Sequence, residues 1–137
     1  MTEQLHRCLK ADCRRNVLIL SITESHVQGD DIAEEMREAM LQAIGTTGCR
    51  HAVIDFENVQ YISSVAFRPL LALRRELVQR GGRVVVCGLN TVVGDIFHTT
   101  SMIDREGNMS PMFEMQPTVA EAEAFLERID LETRDQP

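Results

Sequence analysis

Ser63 and Ser64 stand side by side in Tyr61-Ile-Ser-Ser64, between an apolar run and a long helical stretch. A hydroxyl where a loop enters a helix can serve in two ways. It can accept a hydrogen bond from a free amide of the first turn and so cap the helix. It can also be shown to a partner and take a phosphate, because the free amides and the helix dipole favour negative charge there. On the first reading Ser63 is the cap and Ser64 a first-turn residue. On the second, a partner kinase phosphorylates Ser64, and Arg68, four residues on, shares its face of a helical turn. The added charge would leave the fold intact and change what a docked partner meets.

Other reactive groupings are sparse. The chain holds no Gly-x-Ser-x-Gly elbow, no phosphate-cradling Gly-Lys-Ser/Thr loop and no His-Glu-x-x-His. His6, His26, His51 and His98 are scattered, without metal-ligand spacing. Cys8, Cys13, Cys49 and Cys87 form no Cys-x-x-Cys pair, and Cys87 lies in an apolar strand pattern. Reduced, partly buried thiols are expected, not structural zinc or redox catalysis. No catalytic group, metal or cofactor is expected.

The length of 137 residues fits one domain, 1–137, able to bury a real core. The net charge of −7 disfavours nucleic acid, whose phosphates need a basic face. No apolar run approaches the ~20 residues of a membrane span. The start, Met1-Thr-Glu-Gln-Leu-His-Arg7, lacks the apolar stretch of a signal peptide. A cytoplasmic protein with no membrane partner is therefore expected.

The elements that must position the serines follow from apolar patterning. Val17-Leu-Ile-Leu-Ser-Ile22, His51-Ala-Val-Ile-Asp55 and Arg83-Val-Val-Val-Cys87 are near-continuous apolar runs, as in strands buried on both faces. A weaker strand signal covers 5–9, with Arg14, Arg15 and Asn16 forming a turn before Val17. Asp31-Ile-Ala-Glu34 has capping-box spacing, and Ile32, Met36, Met40 and Ile44 then make one helical stripe, with Gly45 as its stop.

Phe67, Leu70, Leu71, Leu73, Leu77 and Val78 predict a helix over 64–80, ended by Gly81-Gly82. Pro69 lacks an amide hydrogen, so the first turn after Ser64 should be irregular, with regular helix starting near Phe67 or Arg68. A short helix fits 92–98, capped by Asn90 or Thr91. Residues 112–115 read as an edge strand between Pro111 and Pro117. Thr118-Val-Ala-Glu121 is a second capping box, opening a helix with Val119, Ala122, Leu126 and Ile129 on its apolar face. Residues 131–137 read as a frayed tail. Strands first, then alternating helix and strand, predict an α/β sandwich with a mixed central sheet and about four helices.

The passage Ala52-Val-Ile-Asp-Phe-Glu-Asn-Val-Gln-Tyr-Ile-Ser-Ser-Val-Ala-Phe67, its long helix, and Arg80-Gly-Gly-Arg-Val-Val-Val-Cys-Gly-Leu89 resemble a STAS domain. More narrowly they resemble the bacterial anti-sigma factor antagonists. The resemblance is strongest over 51–104 and looser over 17–50 and 112–130. It implies a non-catalytic binding module whose partner is an anti-sigma factor that is also a serine kinase of the histidine-kinase-like ATPase type. It implies that this kinase phosphorylates the serine after the motif Asp, that binding is then lost, and that a phosphatase restores it. The motif Asp falls on Ser63, the phosphorylated serine on Ser64 and the motif Gly on Ala66, so the chain keeps the acceptor hydroxyl and departs on both sides of it. Ser63, Ser64, Val65 and Arg68 are the implied partner-binding residues, with Ser63 the second choice for the phosphate. The family also includes phosphorylation-independent scaffolds and sensory subunits. A small-ligand-binding protein is the outside alternative.

Overall fold

Alternation within one apolar run explains the centre of the molecule. In Val17–Ile22, Leu18, Leu20 and Ile22 join one core while Val17 and Ile19 join another on the opposite face. Ala52 and Ile54 split from Val53 in the same way, and Val84 and Val86 from Val85 and Cys87. A strand covered on both faces must be apolar at every position, and that is the pattern the sequence carries.

The computed structural model describes residues 2–6, 8–100 and 113–134. The chain runs β1 (Thr2–His6), β2 (Leu9–Arg14), β3 (Val17–Ile22), β4 (His26–Val27), α1 (Asp30–Thr47), β5 (His51–Asp55) and β6 (Tyr61–Ile62). A 3₁₀ turn (Ser64–Ala66) leads into α2 (Phe67–Gln79). Then follow β7 (Val84–Cys87), α3 (Thr91–Thr99), β8 (Glu114–Gln116) and α4 (Val119–Arg134). The main sheet has the order β1-β2-β3-β5-β7-β8, antiparallel up to β3 and parallel from β3 onward. The three apolar runs are adjacent, as expected. Helices α1, α2 and α3 line the larger core through residues such as Met40, Leu70, Leu77 and Phe97. Helix α4 lays Ala122 and Leu126 on the other face.

Several boundaries differ from the sequence-based expectation. The strand expected over 5–9 is instead the junction of two strands, and the β2–β3 hairpin closes through Arg15 and Asn16, both at positive φ. A two-residue turn of that hand matches the right-handed twist of the strands it joins. Helix α1 starts at Asp30 behind Gly29 and has no side-chain cap, so the box at Asp31–Glu34 does not form. Gly45 does not stop the helix: residue 45 stays helical, and Gly48 ends it at φ +67 with its amide on the Ile44 carbonyl. Of the two glycines, only Gly48 takes the left-handed conformation that glycine adopts without strain. The short parallel pair β4–β6 carried no recognisable pattern.

The second box is half formed: the Glu121 amide donates to the Thr118 hydroxyl at 3.2 Å. Strand β8 is at the sheet edge, as expected, while Met112 lies outside the described residues. Helix α4 continues past Leu131 to Arg134. Its far end is pinned by His51, which is 1% exposed. The His51 Nδ1 accepts from the Arg83 amide at 3.0 Å, so its Nε2–H is the group that donates to Asp130 at 2.8 Å.

Candidate functional site

The loop between β5 and α2 carries the serines, and it is built from the C-terminal end of β5 outward. Asp55 folds back to accept from the Glu57 amide at 3.0 Å. A Cβ added at Gly88 (φ +71) would meet that Asp55 oxygen at 2.9 Å and the Glu57 nitrogen at 3.0 Å, so the turn sits directly on the end of β7. The Phe56 amide donates to the Cys87 carbonyl.

Asn90 holds the next stretch. Its side-chain amide donates to the carbonyls of Val59 at 3.2 Å and Gln60 at 3.3 Å. Its Oδ1 accepts from the Val93 amide at 2.8 Å and caps α3. The cap was legible in the sequence; the two loop contacts, made across some thirty residues, were not. From the other side, the amides of Gln60 and Tyr61 donate to the Ser25 carbonyl, and that of Ser63 to the Val27 carbonyl.

The core on either side of the serine turn in sequence is aromatic at Phe56 and Phe67. Phe97 of α3 packs edge-on against Phe56, Phe67 and Phe113, with ring centroids 5.6, 5.0 and 6.2 Å away. Phe67 is the first residue of α2. Its burial sets where the helix begins, one turn beyond the serines. Edge-to-face pairs of this kind add about 0.5–1.5 kcal/mol each beyond the area they bury.

The four sequence-predicted residues occupy distinct environments. Ser64 is exposed and opens the 3₁₀ turn. Ser63 is extended (φ −98, ψ 171) and half-buried; its hydroxyl makes no capping bond and is buried without a partner. The reading of Ser63 as a side-chain cap is therefore corrected. The amide that a cap would take, that of Ala66, goes to the Ser63 backbone carbonyl at 3.0 Å instead. Val65 is half-buried. Arg68 is exposed and pairs with Asp30 at 3.1 Å, tying the first turn of α2 to the start of α1.

The irregular first turn expected from Pro69 is the 3₁₀ segment. With α2 starting at Phe67, Pro69 occupies the first turn, where helical amides lack intrahelical partners anyway. Ala66 is right-handed (φ −63, ψ −22), so a side chain at that position costs no backbone strain. Neither the 3₁₀ turn nor α2 has an acidic residue in its first turn, which leaves the positive end of the segment without a carboxylate of its own.

Among the described residues no group of three or more His, Cys, Asp or Glu side chains is arranged to hold a metal ion, and no helix is long and apolar enough to cross a membrane. The thiols of Cys8, Cys49 and Cys87 are buried and that of Cys13 is exposed. Burial, with Asp55 and Glu57 nearby, pushes the Cys87 thiol up to about 12.

Comparison with known proteins agrees with this architecture. The family model described as "STAS domain" matches residues 9–122. BtrV of Bordetella bronchiseptica, a proposed anti-sigma factor antagonist, is 33% identical over 69 residues, which are 50% of this chain. The match spans 60% of that relative's length. A proposed anti-sigma factor antagonist from Thermotoga maritima superposes with a TM-score of 0.72 at 14% identity, covering 88% of this chain and 96% of that one. The anti-sigma factor antagonist SpoIIAA in its unphosphorylated form superposes with a TM-score of 0.62 at 16% identity, covering 88% and 97%. At such identities the two superpositions speak to the fold.

Proposed function

The chain belongs to the STAS domain family, and from that premise we propose that it is a non-catalytic binding module that antagonises an anti-sigma factor. In this reading the partner is an anti-sigma factor with serine kinase activity, and phosphorylation of Ser64 releases it. A phosphatase resets the module. The relative BtrV, named as a proposed anti-sigma factor antagonist, supports the class of function.

One observation carries the choice of residue: the two neighbouring hydroxyls differ in access. Ser64 is exposed, whereas the Ser63 hydroxyl is buried. A kinase needs the first kind. A phosphate on Ser64 would meet the positive end of the 3₁₀–α2 segment, whose own first turns carry no acidic residue. Arg68 is the nearest cation in sequence, and its bond to Asp30 joins two exposed side chains. Such a pair is worth roughly 0–1 kcal/mol, so a doubly charged phosphate can compete for the guanidinium. The partner-facing surface in this reading is Ser64 with Val65 and Arg68, and the charge gained at its centre is what weakens docking.

The test uses tagged wild type, Ser64→Ala and Ser64→Asp expressed in the native cell, captured and mapped for phosphate. Wild type is expected to carry phosphate on Ser64 and to bring down a kinase-type anti-sigma factor. Ser64→Ala should retain that partner and lose its regulation; Ser64→Asp should fold and fail to hold it. Phosphate on Ser63 would move the switch by one residue. Equal capture by all three variants with no phosphate would favour the phosphorylation-independent scaffold, a reading motivated by Ser63 standing where the family motif has Asp.

A further inference from the structure

Two thiols far apart in sequence meet at the end of the sheet opposite the serine loop. Cys13 lies near the end of β2, and Cys49 lies between the α1 cap and β5. Their sulfurs are 2.8 Å apart, across 36 residues of chain.

The meeting is imposed by the backbone on both sides. Asn16, in the hairpin turn, accepts the Arg50 amide through its carbonyl at 3.1 Å and through its side chain at 3.0 Å, and its carbonyl also takes the His51 amide at 3.2 Å. The Cys49 amide donates to the Thr47 hydroxyl at 3.3 Å, and that hydroxyl donates to the Ala43 carbonyl at 2.8 Å. The hairpin tip and the α1–β5 link are thus fastened together, and the two sulfurs lie between the fastenings. Cys13 is exposed, whereas Cys49 is 2% exposed. One thiol is open to solvent, and the other is buried in contact with it.

We infer that Cys13 and Cys49 form a dithiol site that low-molecular-weight disulfides oxidise to an intramolecular disulfide. The Cys13 thiolate attacks a sulfur of the small disulfide. A Cys13–small-thiol mixed disulfide forms, and one small thiolate leaves and takes up the proton that Cys13 lost. Cys49 then gives up its proton and attacks the Cys13 sulfur. The Cys13–Cys49 bond forms, and the second small thiolate leaves and is protonated. Two protein thiols are oxidised and one small disulfide is reduced to two thiols. Cys13 is the entry point because it is accessible, and Cys49 is the resolving group because it is already in contact.

The site is separate from the proposed switch. Cys49 precedes the first residue of β5, and Ser64 follows its last. Oxidation braces the β2–β3 hairpin against the α1–β5 link and leaves the Ser64 loop unaltered.

The experiment incubates the full chain with oxidised glutathione at mildly alkaline pH, quenches with acid, alkylates the remaining thiols in denaturant and maps the peptides by mass spectrometry. Wild type should lose two thiols together, yield a Cys13–Cys49 linked peptide and retain no glutathione; dithiothreitol should reverse all three. Cys49→Ser should stop at a glutathione adduct on Cys13. Cys13→Ser should leave Cys49 a free thiol. Circular dichroism of each variant checks that it is folded. A stable glutathione adduct on Cys13 in folded wild type, a link from either residue to Cys8 or Cys87, or four thiols surviving prolonged oxidation would each overturn the inference.

Discussion

Arg68, in the first turn of α2, reaches across to Asp30 at the head of α1, with 3.1 Å between Nη1 and Oδ1. The contact couples the turn that carries Ser64 to a neighbouring helix, yet both partners are mostly in water, at 68% and 78% exposure. Its contribution to stability is correspondingly small. Arg68→Ala should lower unfolding free energy by no more than about 1 kcal/mol in a urea titration, and added salt should shrink the difference. A larger loss would mean that the pair organises more of the loop than its exposure indicates.

Asn90 separates into two roles that two substitutions can tell apart. Asn90→Ala removes the α3 cap and both bonds to the loop carbonyls, and should cost about 1–3 kcal/mol. Asn90→Asp keeps the oxygen that caps Val93 and loses both donors to Val59 and Gln60. Hydrogen exchange is expected to rise in the loop over 57–63 in both variants, but within the first turn of α3 only in Asn90→Ala.

Phe97 is fully buried and touches three other phenylalanines, one after β5, one at the start of α2 and one just before β8. Phe97→Ala should destabilise the protein by about 3–5 kcal/mol, from lost apolar burial and the cavity left behind. Phe97→Leu should cost less. The midpoint of chemical denaturation orders the three proteins.

The Cys13 thiol is held up at about 11, chiefly by its hydrogen bond to Cys49, with burial and the Asp12 carboxylate adding to it. The thiolate is the reactive form, so alkylation of Cys13 by iodoacetamide should be slow at neutral pH. Its rate should climb about tenfold per pH unit without levelling near the ordinary thiol range of about 8.5. In Cys49→Ala, which removes the hydrogen-bonding sulfur, the curve should move toward lower pH. The linkage has a definite sign. A thiol whose folded pKa exceeds its unfolded value favours the folded state at neutral pH. It loses that contribution as pH rises through the unfolded value toward about 11.

Much of the scaffold follows from local pattern, because a strand or helix declares in its own residues which faces meet the core. The continuous apolar runs at Val17–Ile22, His51–Asp55 and Val84–Cys87 identify strands covered on both sides, and they are neighbours in the sheet. Pro69 alone predicts the irregular turn after Ser64, since a missing amide hydrogen is a property of the residue wherever it stands. Asn90 as a cap is local for the same reason.

What the sequence by itself could not determine depends on register between distant segments. Whether Gly45 or Gly48 ends α1 is settled by where the chain must turn to meet Asn16, and not by glycine as such. Ser63 and Ser64 are chemically identical. Only the packing of the loop against Asn90, Ser25 and Val27 turns one hydroxyl inward and leaves the other in water. The contact between Cys13 and Cys49 has no local signature, because 36 residues and a whole helix separate them. It exists because hydrogen bonds between a hairpin tip and a helix exit bring two unrelated stretches of chain to one point. Such bonds are defined only once the sheet has formed.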